Sequence, residues 1–137
     1  MKYDEKSCGV VVFKENEMGR EFLLLLYPGG HWDLVKGHVE EGEDEIETAT
    51  RELIEETGIS DIAYVDGFRE KISYHYTNQG RPSHKQVIFF LGKTEMEDVK
   101  VSHEHHNFIW LPYDKALDKT TFENAKEILR RAQSLLS

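Results

Sequence analysis

Gly37 to Ile59 reads G-H-V-E-E-G-E-D-E-I-E-T-A-T-R-E-L-I-E-E-T-G-I. Its second half places Glu52, Glu55 and Glu56 at i, i+3 and i+4, a spacing that predicts three carboxylates on one face of a helix. Like charges so placed repel, and a cation between them offsets that repulsion. Hard divalent ions take oxygen ligands from a few carboxylates, waters and substrate phosphates. The triplet therefore reads as half of a metal site whose other half is a phosphorylated ligand. Ile46, Ala49 and Leu53 recur at helical spacing, and the reading puts them on the side away from the carboxylates, docking the helix. Arg51 is expected to pair with Glu47 or Glu55 at i±4. Gly37 and Gly42 bracket a loop before the helix, and Gly58 stands where a helix stop is expected.

Composition bounds the rest. A chain of 137 residues with 39% hydrophobic content predicts one globular domain over 1–137 with a real core. No stretch is long or apolar enough to predict a membrane span, and the N-terminal M-K-Y-D-E-K lacks a signal peptide's apolar region. Cys8 is the sole cysteine, so no internal disulfide is expected, and a cytoplasmic setting is. In its apolar run it reads as a small core residue rather than a nucleophile. The net charge of −9 is concentrated, since the quoted segment holds nine acidic residues against Arg51 alone. Such a field repels polyphosphate unless cations and nearby basic residues offset it. Long nucleic acid is a poor partner, because a basic stripe is missing.

Outside this segment, Cys8 to Phe13 and Glu21 to Tyr27 read as a β-hairpin, broken by Pro28 to Gly30. Ile62 to Tyr76 alternates aromatic and polar residues, N-Q-G-R-P-S turns the chain, and Lys85 to Lys93 returns as a strand. Phe108 to Leu111 is a short strand, and Thr121 to Leu136 carries Phe122, Ala125, Ile128, Leu129 and Ala132 as an amphipathic helix. An α/β fold follows, with a mixed sheet between the acidic helix and the C-terminal helix. Trp32 and Trp110 read as core residues.

Gly37, Glu43, Arg51, Glu52, Leu53, Glu55, Glu56, Gly58 and Ile59 match all nine specified positions of the Nudix box. The chain therefore resembles the Nudix hydrolases, which implies an α/β/α sandwich and cleavage of nucleoside diphosphates linked to another moiety. Within that family it is most similar to the diadenosine tetraphosphate hydrolases of the animal and archaeal type. That likeness is carried by C-G-V-V-V-F (Cys8 to Phe13), H-W-D-L-V-K-G-H-V-E (His31 to Glu40), E-K-I-S-Y (Glu70 to Tyr74) and V-S-H-E-H (Val101 to His105). Val35 departs from it where proline is usual before the lysine aligned with Lys36, and the turn Thr77 to His84 is longer.

The resemblance implies that Glu52, Glu55 and Glu56 bind catalytic Mg²⁺ (Mn²⁺ being possible), with the Gly37 carbonyl as a further ligand. Glu104 would join from outside the box as ligand or base. Lys36 and Lys85 would face phosphates, His31 and His38 would line the phosphate path, and Tyr74 and Phe122 would stack an adenine. Core packing competes with stacking for Tyr74 and Phe122, since one belongs to an alternating strand and the other opens an amphipathic helix. A zinc site at His103, His105 and His106 is discounted, because neighbouring residues of an extended segment face opposite ways and no cysteine is near. Glu43 and Arg51 read as a structural pair. The expected enzyme is a monomer or weak dimer acting on a small-molecule nucleotide. A Nudix enzyme for a modified dNTP or a 5′-triphosphate RNA end, and a silent nucleotide-binding domain, remain open alternatives.

Overall fold

The computed structural model describes residues 5–101 and 107–137. The first strand, β1 (Glu5–Asn16), has eight consecutive buried residues from Ser7 to Lys14, the mark of a strand covered on both faces. It hairpins into β2 (Gly19–Tyr27), pairs antiparallel with β4 (Val35–His38) and runs parallel to β7 (Arg81–Lys93). The short β3 (His31–Asp33) and β8 (Asn107–Pro112) flank β2, while β5 (Ala63–Tyr64) and β6 (Glu70–Asn78) pair with β7. One parallel contact in an otherwise antiparallel sheet makes it mixed, as expected.

The period-2 alternation of the strands sorts the core onto two faces. Val10, Val12, Leu23, Leu25 and Ile88 pack with Ala49 and Leu53 of α1 (Glu45–Thr57). Val11, Phe13, Phe22, Leu24 and Phe89 pack with Ala116 of α2 (Tyr113–Lys119) and with Ala125, Ile128, Leu129 and Ala132 of α3 (Glu123–Leu136). The sandwich is thus α1, sheet, then α2 with α3. Cys8 is fully buried, and burial pushes its thiol up to about 11, as suits an inert core residue. Among the described residues no helix is long and apolar enough to cross a membrane.

Several expectations are corrected. The turn after β6 is not Thr77 to His84 but two residues, Gln79 (φ 52) and Gly80 (φ 79), a double left-handed geometry that closes twisted hairpins. Thr77 and Asn78 pair with Pro82 and Arg81, so the strands run on past the expected break. Pro82 faces Thr77, next to the Asn78–Arg81 pair that closes the turn. The alternating run from Ile62 is split into β5 and β6 around Gly67 (φ 87). Three-residue β3 and seven-residue α2 were too short for periodicity to reveal. Trp32 and Trp110 are half-buried at the core margins rather than inside it, each with a lysine over its ring (Lys119 and Lys14).

Candidate active site

Helix α1 is fixed at both ends. Asp44 caps it through a reciprocal pair of 2.9 Å bonds, Glu47 N–H to Asp44 Oδ1 and Asp44 N–H to Glu47 Oε1. Gly58, left-handed at φ 77, ends it by donating to the Ile54 carbonyl at 2.9 Å. The buried stripe runs through Thr48, Ala49, Leu53, Glu56 and Thr57, so Ile46 falls at its margin, 38% exposed, contrary to expectation. The carboxylates do not stand opposite that stripe; they span its edge. Glu56 is 6% exposed, the Glu52 side chain 12% and the Glu55 side chain 53%. One oxygen from each lies within 4.8 Å of the others, a spacing that suits a shared hard cation.

Arg51 organises this end. Its Nη1 donates to Glu52 Oε2 and Glu55 Oε2, both at 3.0 Å, and its Nη2 to the His38 carbonyl at 2.9 Å. Its Nε donates to Glu43 Oε2 at 2.6 Å, while Glu43 Oε1 accepts from the Glu40 N–H and the Thr48 hydroxyl. The guanidinium bond first, then the loop N–H, hold the Glu43 carboxyl down to about 2. Glu43 and Arg51 thus form the structural pair expected, although Glu47 serves the helix cap instead. Burial pushes Glu52 upward in pKa, reinforced by Glu55 and Glu56 and opposed by Arg51. A Cβ at Gly37 on β4 would lie 1.9 Å from Glu52 Cδ, so a side chain there displaces the Glu52 carboxylate.

These groups line a cavity of about 1250 Å³. All ten of the predicted site residues that lie within the described chain border it: the carboxylates, Gly37, His31, Lys36, His38, Tyr74, Lys85 and Phe122. Glu104 and the histidines around it lie outside the described residues. Lys36 is aimed by Asp33, which is 3% exposed and accepts from Lys36 Nζ at 2.6 Å and from the Leu34 N–H at 2.7 Å. Lys85 sits 4.0 Å from Glu5 and opposite Tyr74 in the β6–β7 register.

Aromatic rings line the same cavity. Tyr27 stacks on His31 (5.2 Å, 10°), and His31 abuts Phe122 (5.2 Å, 56°). Phe122 is 49% exposed, which removes core packing as its explanation. Tyr74 both packs on the core and lines the cavity, and burial pushes its phenol upward in pKa. The sequence reading missed Tyr27 and Asp33. Asp33 had a signal in its i,i+3 spacing to Lys36; Tyr27 had none, since it looks like the end of an apolar strand.

A model of the NUDIX domain matches residues 6–132. The bis(5′-nucleosyl)-tetraphosphatase [asymmetrical] of Rattus norvegicus is 36% identical, over 96% of this chain and 95% of its own. The structure of a C. elegans Ap4A hydrolase binary complex superposes with a TM-score of 0.84 at 34% identity, covering 96% of this chain and 97% of that one. The E. coli dihydroneopterin triphosphate pyrophosphohydrolase superposes with a TM-score of 0.78 at 20% identity over 95% of this chain and 97% of its own, a likeness of fold.

Proposed function

The chain belongs to the NUDIX domain family, and on that premise we propose that it hydrolyses dinucleoside polyphosphates, cutting diadenosine tetraphosphate asymmetrically to ATP and AMP. The observation that carries this reading is the combination of groups lining one cavity: clustered carboxylates, cationic side chains and aromatic rings. A ligand that joins a polyphosphate to a base matches that combination. The tetraphosphatases named above, similar along nearly their whole length, support the same substrate.

Glu52, Glu55, Glu56 and the Gly37 carbonyl would hold divalent cations, Mg²⁺ or Mn²⁺, and hard oxygen donors at this spacing fit them. When bound, such ions neutralise phosphate oxygens and lower the pKa of a bound water. The protein's own groups do the rest. Lys36, held by Asp33, and Lys85 offset charge developing on phosphate oxygens. Arg51 keeps Glu52 and Glu55 oriented and ties the His38 backbone to the helix, fixing the loop that carries Gly37. Glu52 or Glu104 accepts the proton of the attacking water. Tyr74 and Phe122 grip a base by its faces. We further propose a single domain over 1–137, acting in the cytoplasm as a monomer or weak dimer.

The test is product analysis on a nucleotide panel with Mg²⁺ and H₂¹⁸O. We expect diadenosine tetraphosphate to yield ATP and AMP with one labelled phosphate, and chelation of the metal to stop the reaction. Symmetric release of two ADP, or turnover of a modified dNTP alone, defeats the reading. Glu104→Gln should lower kcat far more than it raises KM, and comparison with Glu52→Gln identifies the base.

A further inference from the structure

A lysine is a point charge on a flexible stem, and holding it still costs conformational entropy. A charge fixed before the ligand arrives needs no reorganisation during the reaction, which is when it stabilises a transition state most. Two lysines line the cavity, and they are held very differently. Lys85 Nζ lies 4.0 Å from Glu5 Oε2, and the Glu5 side chain is 36% exposed, a loose pair in contact with solvent. Lys36 Nζ lies 2.6 Å from Asp33 Oδ2, and the Asp33 side chain is only 5% exposed.

Asp33 belongs to a closed ring of contacts. Its Oδ1 accepts from the Leu34 N–H at 2.7 Å, and the Leu34 carbonyl accepts from the Tyr27 hydroxyl at 2.6 Å. The Lys36 ammonium stands 5.5 Å over the Tyr27 ring and closes the ring of contacts. A carboxylate and a π face thus hold one ammonium. Both partners of the ion pair are seated on the sheet, since Asp33 pairs with Leu25 of β2 and Lys36 with Gly9 of β1. An ammonium has several donors, so pairing with Asp33 leaves Lys36 able to donate to a ligand in the cavity it lines. The same carboxylate offsets part of the attraction of Lys36 for an anion. Fixing Lys36 therefore raises kcat, while offsetting its charge weakens ground-state binding.

We propose that Asp33 is a positioning residue that acts through Lys36, holding its charge still for the transition state while weakening its ground-state pull on phosphate. The inference rests on the dinucleotide reading above.

The experiment measures kcat and KM for diadenosine tetraphosphate at saturating Mg²⁺, with high enzyme concentration for slow variants and thermal melts alongside. Asp33→Asn keeps the shape and an acceptor for the Leu34 N–H but removes the charge. It should lower kcat by about tenfold or more, the scale expected when a reacting group is misplaced, with KM unchanged or lower. In a Lys36→Met background the same substitution should change kcat by less than about twofold, whereas in a Lys85→Met background it should cost what it costs in wild type. An unchanged kcat per folded molecule overturns the inference: a fall in Tm would then mark Asp33 as structural, and a fall in KM alone would mark it as a screen on Lys36. A kcat loss of the same size with and without Lys36 overturns it too, and leaves dinucleotide hydrolysis standing. Failure of wild type to cleave diadenosine tetraphosphate overturns the underlying reading and this inference with it.

Discussion

The acidic part of the cavity lining comes from one helix and the strand beside it, whereas the aromatic part draws on β2, β3, β6 and the turn before α3. The two parts also differ in how they are held. Arg51 and Glu43 tie the carboxylates into one network of charged hydrogen bonds. The rings rest on one another, with Tyr27 on His31 and His31 on Phe122. On the proposed function, the carboxylates that would act at the reacting phosphorus are fixed by local spacing, and the rings that would grip a base are fixed by tertiary convergence. Disturbing the first should therefore damage kcat, and disturbing the second should damage KM.

The largest effect is expected from Glu56→Gln. Glu56 is almost wholly buried on the stripe of α1 and lines the cavity, so a lost charge cannot be replaced from solvent. Residues that merely support a metal ligand cost about 10–100-fold when changed, so a direct ligand should cost at least about 100-fold in kcat. Metal-free stability should hold or rise slightly as repulsion from Glu52 and Glu55 is relieved. Kinetics at saturating Mg²⁺ with a melt in chelator tests both parts, and a near wild-type rate removes Glu56 from the site.

Gly37→Ala follows. The added methyl overlaps Glu52, and Glu52 cannot swing away without leaving Arg51. Misplacing a catalytic group by about 1 Å can cost about 100-fold. We expect a kcat loss of about 10–100-fold with KM little changed; equal losses in KM and kcat would mean that the acidic part is less rigid than its geometry implies.

The contrast between the two parts also explains what was legible in the chain. Glu52, Glu55, Glu56, Arg51 and Gly58 announce themselves because a helix converts fixed spacing into a shared face. The sheet's first two strands were legible in the apolar runs Cys8 to Phe13 and Glu21 to Tyr27. Lys36, Tyr74 and Phe122 were reached only by resemblance, since nothing in their local sequence says that β4, β6 and the start of α3 converge. Ile46 misled for a related reason: periodicity locates an apolar stripe but not its centre, and burial of Glu56 shifts that centre. The turn at Gln79 and Gly80 was misplaced because Pro82, which looks like a breaker, sits inside the β6–β7 hairpin opposite Thr77.

In the aromatic part, Phe122→Ala should weaken diadenosine tetraphosphate by about 1–3 kcal/mol, the usual worth of base–aromatic stacking. The loss should fall in KM, because the ring touches neither the attacking water nor the phosphorus and holds ground and transition states alike. Since Phe122 is half exposed, Tm should barely move. An unchanged KM in the folded variant would sink the stacking role.

The smallest and sharpest test concerns a residue that touches no substrate. Thr121 joins the turn before α3 to β3 through two bonds: its Oγ1 accepts from the Trp32 N–H at 2.8 Å, and its N–H donates to the Trp32 carbonyl at 3.0 Å. Phe122 follows it directly, and His31, against which Phe122 lies, directly precedes Trp32. The clasp therefore sets the distance between a ring and its neighbour on a different element. Thr121→Val keeps the shape and the second bond but leaves the Trp32 N–H without the hydroxyl, a loss of about 0.5–1.5 kcal/mol. If recognition by the rings depends on convergence, KM should rise about two- to tenfold with kcat unchanged, and Thr121→Ser should restore it. If the clasp serves stability alone, Tm will fall while KM stays put, and the aromatic part will have to be regarded as held by its rings rather than by the turn beneath them.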